Sequence, residues 1–401
     1  MTGSIMISPL LLLLGARGLR DFGDGFVAVL LPVYLMALGF SPLEVGAFAG
    51  TALFGSALLT LAVGFLGVRY DHRLLLISSA GLMTATGAAL SIVDSYALLL
   101  VVAFVGSVNP SGGSASSFVP VEHAVLTRET ADAERTKAFA RYSLVGGLAS
   151  AGGALAAAMP ELFTRPDWSE LSGIKAMFGI YALLGLVGGL LYTRIPGRMP
   201  PTQHDLAQAL GPSRTIVYKL AALFSLDAFA GGFVVQSLLA LWLFERFDLS
   251  LSTASLFFFW SGVLSAFSFP VAALLSSRFG LVNTMVFTHI PSSLCLILAA
   301  FAPSLTMTLG LLLVRAALSQ MDVPTRSSYV MAVVTEAERT AAASFTSVPR
   351  SLAASLSPAI AGALFSLSWQ ASPLIVCGTL KIAYDLVLLN QFRYLKPPEE
   401  S

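Results

Sequence analysis

The amino-acid sequence predicts an all-α membrane protein with many transmembrane helices, and three observations support this prediction. Only 11% of the 401 residues are charged and 56% are hydrophobic, and the mean hydropathy is +0.81. An ordinary soluble domain carries roughly 25% charged residues, so most of this surface must face lipid rather than water. The second observation is a series of long apolar stretches. The third is the uneven distribution of Lys and Arg among the loops between them.

Twelve stretches are long enough to cross a bilayer as helices, which takes about 20 apolar residues. They cover residues 8–37, 42–67, 74–92, 97–126, 138–158, 174–194, 216–244, 251–276, 280–302, 304–333, 341–367 and 372–393. The junctions carry charges or helix-breaking residues, for example Gly39 and Pro42 after the first stretch. We therefore predict twelve transmembrane helices.

Lys and Arg are concentrated in alternate loops, which orients the chain, because cytoplasmic loops carry the excess of these residues. With a cytoplasmic N-terminus, the outer loops hold Arg165, Lys175 and Arg246. The inner loops and tail hold Arg69, Arg73, Arg128, Arg135, Lys137, Arg194, Arg198, Arg214, Lys219, Arg278, Arg339, Arg393 and Lys396. Both termini are therefore predicted to be cytoplasmic.

The sequence also repeats itself at an offset of 204 to 209 residues. Ala133-Glu134-Arg135-Thr136 recurs as Ala337-Glu338-Arg339-Thr340, and Arg141 matches Arg350. Such internal repeats are typical of transporters. We predict an N-terminal six-helix bundle over 1–194, a cytoplasmic linker over 195–215 and a C-terminal six-helix bundle with a short cytoplasmic tail over 216–401.

The chain resembles the major facilitator superfamily over essentially its whole length. The resemblance rests on twelve spans, duplicated halves, a central linker and a loop motif between spans two and three. The loop motif of that family is roughly G-x-x-x-D-R-x-G-R-R/K. Gly64, Arg69 and Arg73 match it, Val68 replaces its acid, and a second degenerate copy surrounds Arg278. The resemblance implies two bundles that rock around one central cavity, and it makes Arg69 and Arg278 gating candidates.

The resemblance to the drug-exporting members of the family, which exchange drugs for protons, is partial. Those members carry a G-P-x-x-G-G element in span five, where this chain has Gly152 and Gly153 without the proline. A diluted version of the element, Ser357-Pro358-Ala359-Ile360-Ala361-Gly362, lies in span eleven. The Arg expected early in span four is also missing, and a similar pattern ends at Arg315 in span ten.

Charged side chains within the spans are the main functional candidates, because each costs at least ~2.5 kcal/mol at the bilayer centre. In span one, Arg17 and Asp21, and likewise Arg20 and Asp24, are four residues apart and share a helix face. One interpretation is two self-neutralised structural pairs. The other is that Asp24 or Asp21 binds and releases a coupling proton, together with Asp227 at the equivalent place in span seven.

Further charges lie in spans four, ten and twelve. Glu122 and Arg326 occupy equivalent places and could form a cytoplasmic gate between the bundles. The alternative is local pairing, of Arg326 with Asp322 and of Glu122 with a loop Arg. We expect Lys381 and Asp385 to form a structural pair. The predicted cavity-lining residues are Arg20, Asn109, Gln236, Arg315, Gln320, Asp322 and Arg350.

The centre of span four, Asn109-Pro110-Ser111-Gly112-Gly113, opposes a regular helix, because proline removes a helical hydrogen bond and glycine disfavours helix. We predict a kink whose freed carbonyls and Asn109 contact substrate. The alternative is close packing of small residues against a neighbouring helix.

The sequence carries no phosphate loop, metal-ligand cluster or nucleophile triad, and no nucleic-acid motif. Cys295 and Cys377 stand alone in apolar runs, so we expect neither a disulfide nor a metal site. We predict a protein that is not an enzyme, binds no cofactor or nucleic acid, and works as a monomer in the plasma (inner) membrane.

The function predicted from these observations is secondary active transport of a small solute by alternating access. The leading hypothesis is a proton-coupled exporter, an antiporter of a small organic compound. The alternative is a proton-coupled importer or uniporter of a polar metabolite, and a third is a non-transporting membrane receptor or scaffold. Basic and acidic residues in the spans are nearly balanced, which leaves the charge of the substrate open.

Overall fold

The computed structural model describes residues 8–66, 70–112, 118–130, 135–162, 169–197, 211–335, 338–367 and 370–395. The helices are α1 (Pro9–Ala37), α2 (Pro42–Leu66), α3 (His72–Ile92), α4 (Tyr96–Val105), α5 (Val119–Glu129), α6 (Arg135–Ala156), α7 (Met159–Leu162), α8 (Glu170–Tyr192), α9 (Arg214–Gly232), α10 (Gln236–Phe247), α11 (Leu251–Phe279), α12 (Leu281–Phe301), α13 (Leu305–Ser319), α14 (Asp322–Ala332), α15 (Arg339–Phe365) and α16 (Ser372–Phe392). Within the described residues, eight helical segments are long and apolar enough to cross a membrane. The chain is a multi-pass helical membrane protein, and the count of twelve spans stays a prediction.

Three predicted spans each consist of two helices. Span four is divided into α4 and α5, span seven into α9 and α10, and span ten into α13 and α14. Only the interruption of span four was predicted. There Gly106 ends α4 with extended backbone, and Gly112 has a φ of +60°. Glycine adopts this left-handed conformation without a steric penalty.

Consecutive long helices run in opposite directions, so their ends collect at two ends of the molecule. We call the end at which α1 finishes and α2 begins the far end, and the opposite end the near end. The sequence predicts that the far end is outside the cell. At the far end the Arg246 guanidinium donates to the carbonyls of Ala300 and Ala302 at 3.0 and 3.2 Å. It thereby satisfies carbonyl groups at the C-terminus of α12 that have no helical partner.

Helix α1 packs tightly against α6 and α8 and is buried along most of its length. Glycines allow this contact. A Cβ atom on Gly25 would lie 2.1 Å from the carbonyl oxygen of Ser150, and one on Gly153 would lie 1.9 Å from that of Phe22. Close backbone approach through small residues is a common way for membrane helices to associate. It holds the charged face of α1 firmly against its neighbours.

The N-terminal helices (α1–α8) contact the C-terminal helices (α9–α16) through α2 with α15 and α6 with α11. A Cβ atom on Gly46 would lie 2.3 Å from the Pro358 carbonyl oxygen, and one on Gly362 would lie 2.6 Å from that of Pro42. Both contacts are at the far end. There the carboxylate of Glu161 also accepts hydrogen bonds from the amides of residues 251 and 252, at 2.7 and 3.1 Å, in the first turn of α11.

Candidate functional site

A cluster of charged side chains lies among the N-terminal helices. Arg17, Arg20, Asp21 and Asp24 on α1 and Glu122 on α5 are each at most 4% exposed. The Arg17 Nε atom lies 2.7 Å from Asp21 Oδ2, as the spacing on the helix predicts. Arg20 NH1 lies 2.9 Å from Glu122 Oε2. Buried charges without partners are strongly destabilising, so this arrangement keeps both arginines neutralised within the cluster.

Three aromatic residues complete the surroundings of these charges. The hydroxyl of Tyr192 donates to Glu122 Oε1 at 2.6 Å, and the hydroxyl of Tyr142 donates to Glu122 Oε2. The guanidinium of Arg17 lies 4.4 Å from the centre of the Tyr142 ring, and that of Arg20 lies 4.6 Å from the centre of the Phe118 ring. Cation–π contacts of this kind add to the stability of a desolvated cation. Glu122 on α5 therefore joins side chains from α1, α6 and α8.

Asp24 has different surroundings from the other acids. It is 2% exposed and accepts a hydrogen bond from the Tyr181 hydroxyl at 3.0 Å. The predicted pair of Arg20 with Asp24 is not formed, because Arg20 turns toward Glu122 and Asp21. In the part of the chain that the structure describes, no basic group lies within 4 Å of Asp24. A buried carboxylate without a cation is costly to keep ionised, so Asp24 is suited to hold a proton.

A second cluster lies among the C-terminal helices. Its members are Asp227 on α9, His289 on α12, Asp322 and Arg326 on α14, and Lys381 and Asp385 on α16. Asp227 Oδ1 accepts from Lys381 Nζ at 2.6 Å and Oδ2 accepts from Arg326 NH1 at 3.3 Å. Arg326 NH1 also lies 2.6 Å from Asp322 Oδ2. Asp227 is therefore held by two cations, which come from distant parts of the sequence.

The expected pair of Lys381 with Asp385 was wrong. Lys381 binds Asp227, while Asp385 lies against the ring of His289 with 3.1 Å between Oδ1 and Nδ1. The other ring nitrogen of His289, Nε2, lies 3.2 Å from Lys381 Nζ. Although Lys381 and Asp385 are four residues apart on α16, each binds a residue of a neighbouring helix instead. Lys381 binds Asp227 on α9, and Asp385 binds His289 on α12.

The two predicted gate residues each find their partners within their own group of helices. Arg326 binds Asp322, as the local alternative supposed, whereas Glu122 binds Arg20 on α1 rather than a loop Arg. No Glu122–Arg326 salt bridge occurs in this conformation, within the described residues. Their gating role stays a prediction. Of the two other gating candidates, Arg278 is exposed in the last turn of α11, and residue 69 lies outside the described residues.

The interruption of span four meets that of span seven near the middle of the molecule. The amide of Ser237, in the first turn of α10, donates to the Pro110 carbonyl at 3.0 Å. A Cβ atom on Gly112 would lie 2.2 Å from Gln236 Oε1, so Gln236 packs directly on the loop that follows the buried Asn109. Interrupted backbone inside a membrane is tolerated where protein satisfies it, and here the opposite group of helices does so.

The remaining predicted cavity residues lie on α13 and α15. Arg315 is half-buried, and its backbone carbonyl accepts from Ser292 Oγ at 3.4 Å. Gln320 ends α13 at the interruption of span ten. Arg350 is half-buried, its Nε atom has no hydrogen-bond partner among the described residues, and it lies within the electrostatic range of Arg326 and the Asp227 carboxylate. Its Nε–H group can therefore still donate a hydrogen bond.

The structure adds residues that the sequence did not single out, above all Tyr181 and His289. Each lies in an apolar run with no charged residue within one helical turn. The internal repeat could have pointed to Tyr181, because Tyr181 and Asp385 are 204 residues apart, which is the offset of the repeat. Each of these two residues binds a titratable side chain of its own group of helices. In the described residues no group of His, Cys, Asp or Glu side chains is suited to bind a metal ion.

A cavity of about 430 Å³ lies apart from both clusters, at the far end. Its lining includes Pro32, Val33, Met36, Leu241, Phe244 and Glu245. It is formed between the outer parts of α1 and α10. It does not contain any of the predicted site residues.

Comparisons with known proteins agree with this architecture. An uncharacterized membrane protein of Saccharomyces cerevisiae is 22% identical over 93% of this chain and 92% of its own length. Among solved structures, a mutant of the nucleoside transporter NupG superposes with a TM-score of 0.78 at 14% identity, covering 96% of this chain and all of that one. A D-xylose-proton symporter gives 0.76 at 14% identity, with 98% of both chains covered.

These structural likenesses are below 25% identity, so they establish the fold alone. The family model described as Major Facilitator Superfamily matches residues 13–233 and again 220–401. The two matches together include nearly the whole chain, with both charged clusters. The chain therefore belongs to the major facilitator superfamily.

Proposed function

We propose that this protein is a secondary transporter that moves a small organic solute by alternating access and couples the movement to protons through Asp24. The observation that carries the proposal is the position of Asp24, buried on α1 with a tyrosine hydroxyl as its partner and no cation within 4 Å among the described residues. Such a carboxyl is stable when protonated. It can release the proton once water reaches it, because hydration then stabilises the charged form.

The contacts between the two groups of helices support alternating access. The backbones of α2 and α15 touch at Gly46 and Gly362, and the Pro110 carbonyl binds the start of α10. The first contact closes the far end, and the second closes the middle of the molecule. With the predicted orientation, this conformation is closed to the outside, and solute enters from the cytoplasm.

The two clusters support independent movement of the two groups. Each contains both signs of charge and pairs them internally, so separation of the groups breaks no buried ion pair among the described residues. Arg350, with its unpartnered Nε, and Gln236 at the central contact are the side chains that we propose for substrate binding. A nucleoside and a sugar are the solutes named for two proteins of this fold, and both are small polar organic molecules.

We propose export in exchange for protons as the direction, by a monomer in the plasma membrane. Import with protons is the second candidate, because a protein of the same fold is a D-xylose-proton symporter. Both directions use Asp24 in the same way. They differ in the sign of the proton movement that a solute gradient produces.

The test is solute-driven proton movement in proteoliposomes that contain a pH-sensitive dye, screened with a panel of organic solutes. The wild type is compared with Asp24→Asn and with the matched control Asp94→Asn, whose carboxylate pairs with Lys175 at the far end. We expect one solute class to move protons in the wild type and in the control, and not in Asp24→Asn. Unchanged proton movement per solute in Asp24→Asn contradicts the proposal.

A further inference from the structure

His289 lies in the interior of the C-terminal helices and contacts two charged side chains of α16 at once. It is 3% exposed. Its Nδ1 atom lies 3.1 Å from Asp385 Oδ1, and its Nε2 atom lies 3.2 Å from Lys381 Nζ. The Lys381 ammonium in turn donates to Asp227 Oδ1 at 2.6 Å. The four side chains form a continuous hydrogen-bonded row from Asp385 to Asp227.

The chemistry of these partners determines the state of the ring. An ammonium group has only donors, so Nε2 must accept the hydrogen bond from Lys381. An ionised carboxylate has only acceptors, so Nδ1 must carry the proton that is donated to Asp385. With Lys381 charged and Asp385 ionised, His289 is neutral in this conformation and carries its proton at Nδ1. Its Nε2 atom, which accepts from Lys381, is the position at which the ring can bind a second proton.

Addition of a proton to Nε2 is incompatible with the present position of Lys381, because two donors would then face each other. Nε2 already lies 3.9 Å from Asp227 Oδ1. A shift of about 1 Å therefore brings the new N–H group within hydrogen-bonding distance of that carboxylate. The imidazolium could then replace the ammonium as a partner of Asp227.

We propose that His289 and Asp385 form a second proton-binding site, in the C-terminal helices, whose occupation releases Lys381 from Asp227. The proton enters from water and forms an N–H bond at Nε2. An O–H bond of hydronium breaks in the same step and leaves water, and the ring gains one positive charge. The hydrogen bond from Lys381 to Nε2 is lost. Asp385 stays bound to the Nδ1 proton and offsets the new charge.

The charged and titratable groups around His289 come from every helix that supplies one to this cluster. They are Asp227 on α9, Asp322 and Arg326 on α14, Arg350 on α15, and Cys377, Lys381, Tyr384 and Asp385 on α16. Arg315 on α13 lies one turn away, where its carbonyl accepts from Ser292. Arg326 keeps Asp227 neutralised when Lys381 leaves. The freed ammonium, already the most exposed charge of the row, becomes a ligand for an anionic group. This last step rests on the proposed function, since it serves a transport cycle.

The test is solid-state NMR of the full chain, labelled with ¹⁵N-histidine, in lipid bilayers. The side-chain nitrogen shifts distinguish the two neutral tautomers from the imidazolium. The His289 signals are assigned by their loss in His289→Gln. We expect the Nδ1–H tautomer at high pH and the imidazolium at low pH. His123, which contacts two aromatic rings, serves as the internal control.

Two substitutions test the hydrogen bonds that hold the ring. Asp385→Leu removes the acceptor of the Nδ1 proton, and Lys381→Met removes the donor to Nε2, so the neutral ring of each variant should lose its preference for the Nδ1–H tautomer. The His123 signals should not move. A third readout, in protein labelled also with ¹⁵N-lysine and ¹³C-aspartate, is the dipolar contact between Lys381 Nζ and the Asp227 carboxyl carbon, which should disappear when His289 is protonated. The last readout needs no substitution and decides the matter if a variant does not fold.

The proposal is overturned if His289 stays neutral down to the lowest pH at which the protein remains folded, shows the Nε2–H tautomer, or becomes protonated while the Lys381–Asp227 contact persists. Asp24→Asn should leave the His289 transition unchanged, because Asp24 lies in the other group of helices. Failure of this second site is therefore seen in the NMR titration. Failure of the proposed function is seen in the proton movement of Asp24→Asn.

Discussion

Arg20 and Glu122 form a buried ion pair with 2.9 Å between NH1 and Oε2, and the C-terminal helices carry its counterpart with the charges exchanged. Arg326 follows Glu122 by 204 residues, the offset of the repeat. It binds Asp227 on α9, which corresponds to α1, at 3.3 Å. Each of these two ion pairs therefore lies within one group of helices. Among the described residues no salt bridge joins the two groups, so they can move apart without breaking a buried ion pair.

Removal of one partner of this pair should be strongly destabilising. We expect Arg20→Met to lower the free energy of unfolding by about 3 kcal/mol, the lower end of the cost of an uncompensated buried charge. Thermal unfolding in detergent measures this effect. The control is Lys175→Met at the more exposed Asp94 pair, which should cost at most about 1 kcal/mol. If both variants lose the same free energy of unfolding, the burial of Arg20 and Glu122 does not make their ion pair more important for stability than an exposed one.

Closure of the far end should depend on Gly46. In Gly46→Ala, the new methyl group would lie 2.3 Å from the Pro358 carbonyl oxygen, so α2 and α15 must separate. We expect spin labels at the exposed positions Leu43 and Leu367 to move apart, with both native cysteines replaced by serine. The matched control is Gly81→Ala, where a Cβ atom has open space and should add up to about 1 kcal/mol of helix stability. An unchanged label distance in Gly46→Ala contradicts this account of the closed end.

Glu338 should stabilise the fold in a pH-dependent way. Hydrogen bonds from Thr335 and Ser213, together with the amide of Gly211, hold its pKa at about 2, below its ordinary value of 4.5. Because the pKa is lowered in the folded protein, the stabilisation is complete above pH 4.5 and is lost as the pH falls toward 2.

We therefore expect Glu338→Gln to lower the melting temperature at neutral pH. The difference from the wild type should shrink as the pH decreases through this window. Thermal unfolding at a series of pH values measures it. A difference that stays constant down to pH 2 would mean that the carboxylate is not the stabilising form.

The sequence predicted the helical fold well, because the helices of a membrane protein must be long and apolar, and both properties are local. The interruption of span four was visible in Asn109 and Pro110. The interruption of span seven, after Gly232, carries no proline and was missed. It forms where the Pro110 carbonyl from another helix binds the start of α10, and such a contact depends on packing.

The partners of the buried charges were harder to predict. Spacing along a helix correctly gave Arg17 with Asp21 and Asp322 with Arg326. Spacing wrongly paired Arg20 with Asp24. Arg20 binds Glu122 on another helix, whose carboxylate also accepts hydrogen bonds from two tyrosine hydroxyls. Sequence spacing cannot rank local and distant partners when helix packing determines which groups meet.

The most direct test of the central claim compares two assays on one preparation of Asp24→Asn proteoliposomes, with the solute found in the compound screen. The first assay measures exchange of labelled solute across the membrane. In the second assay a pH gradient drives the solute against its own concentration gradient, and the accumulated solute is measured. If Asp24 carries the coupling proton, the variant exchanges solute but does not accumulate it. If Asp24→Asn accumulates solute as the wild type does, another residue carries the coupling proton and the account of Asp24 is wrong.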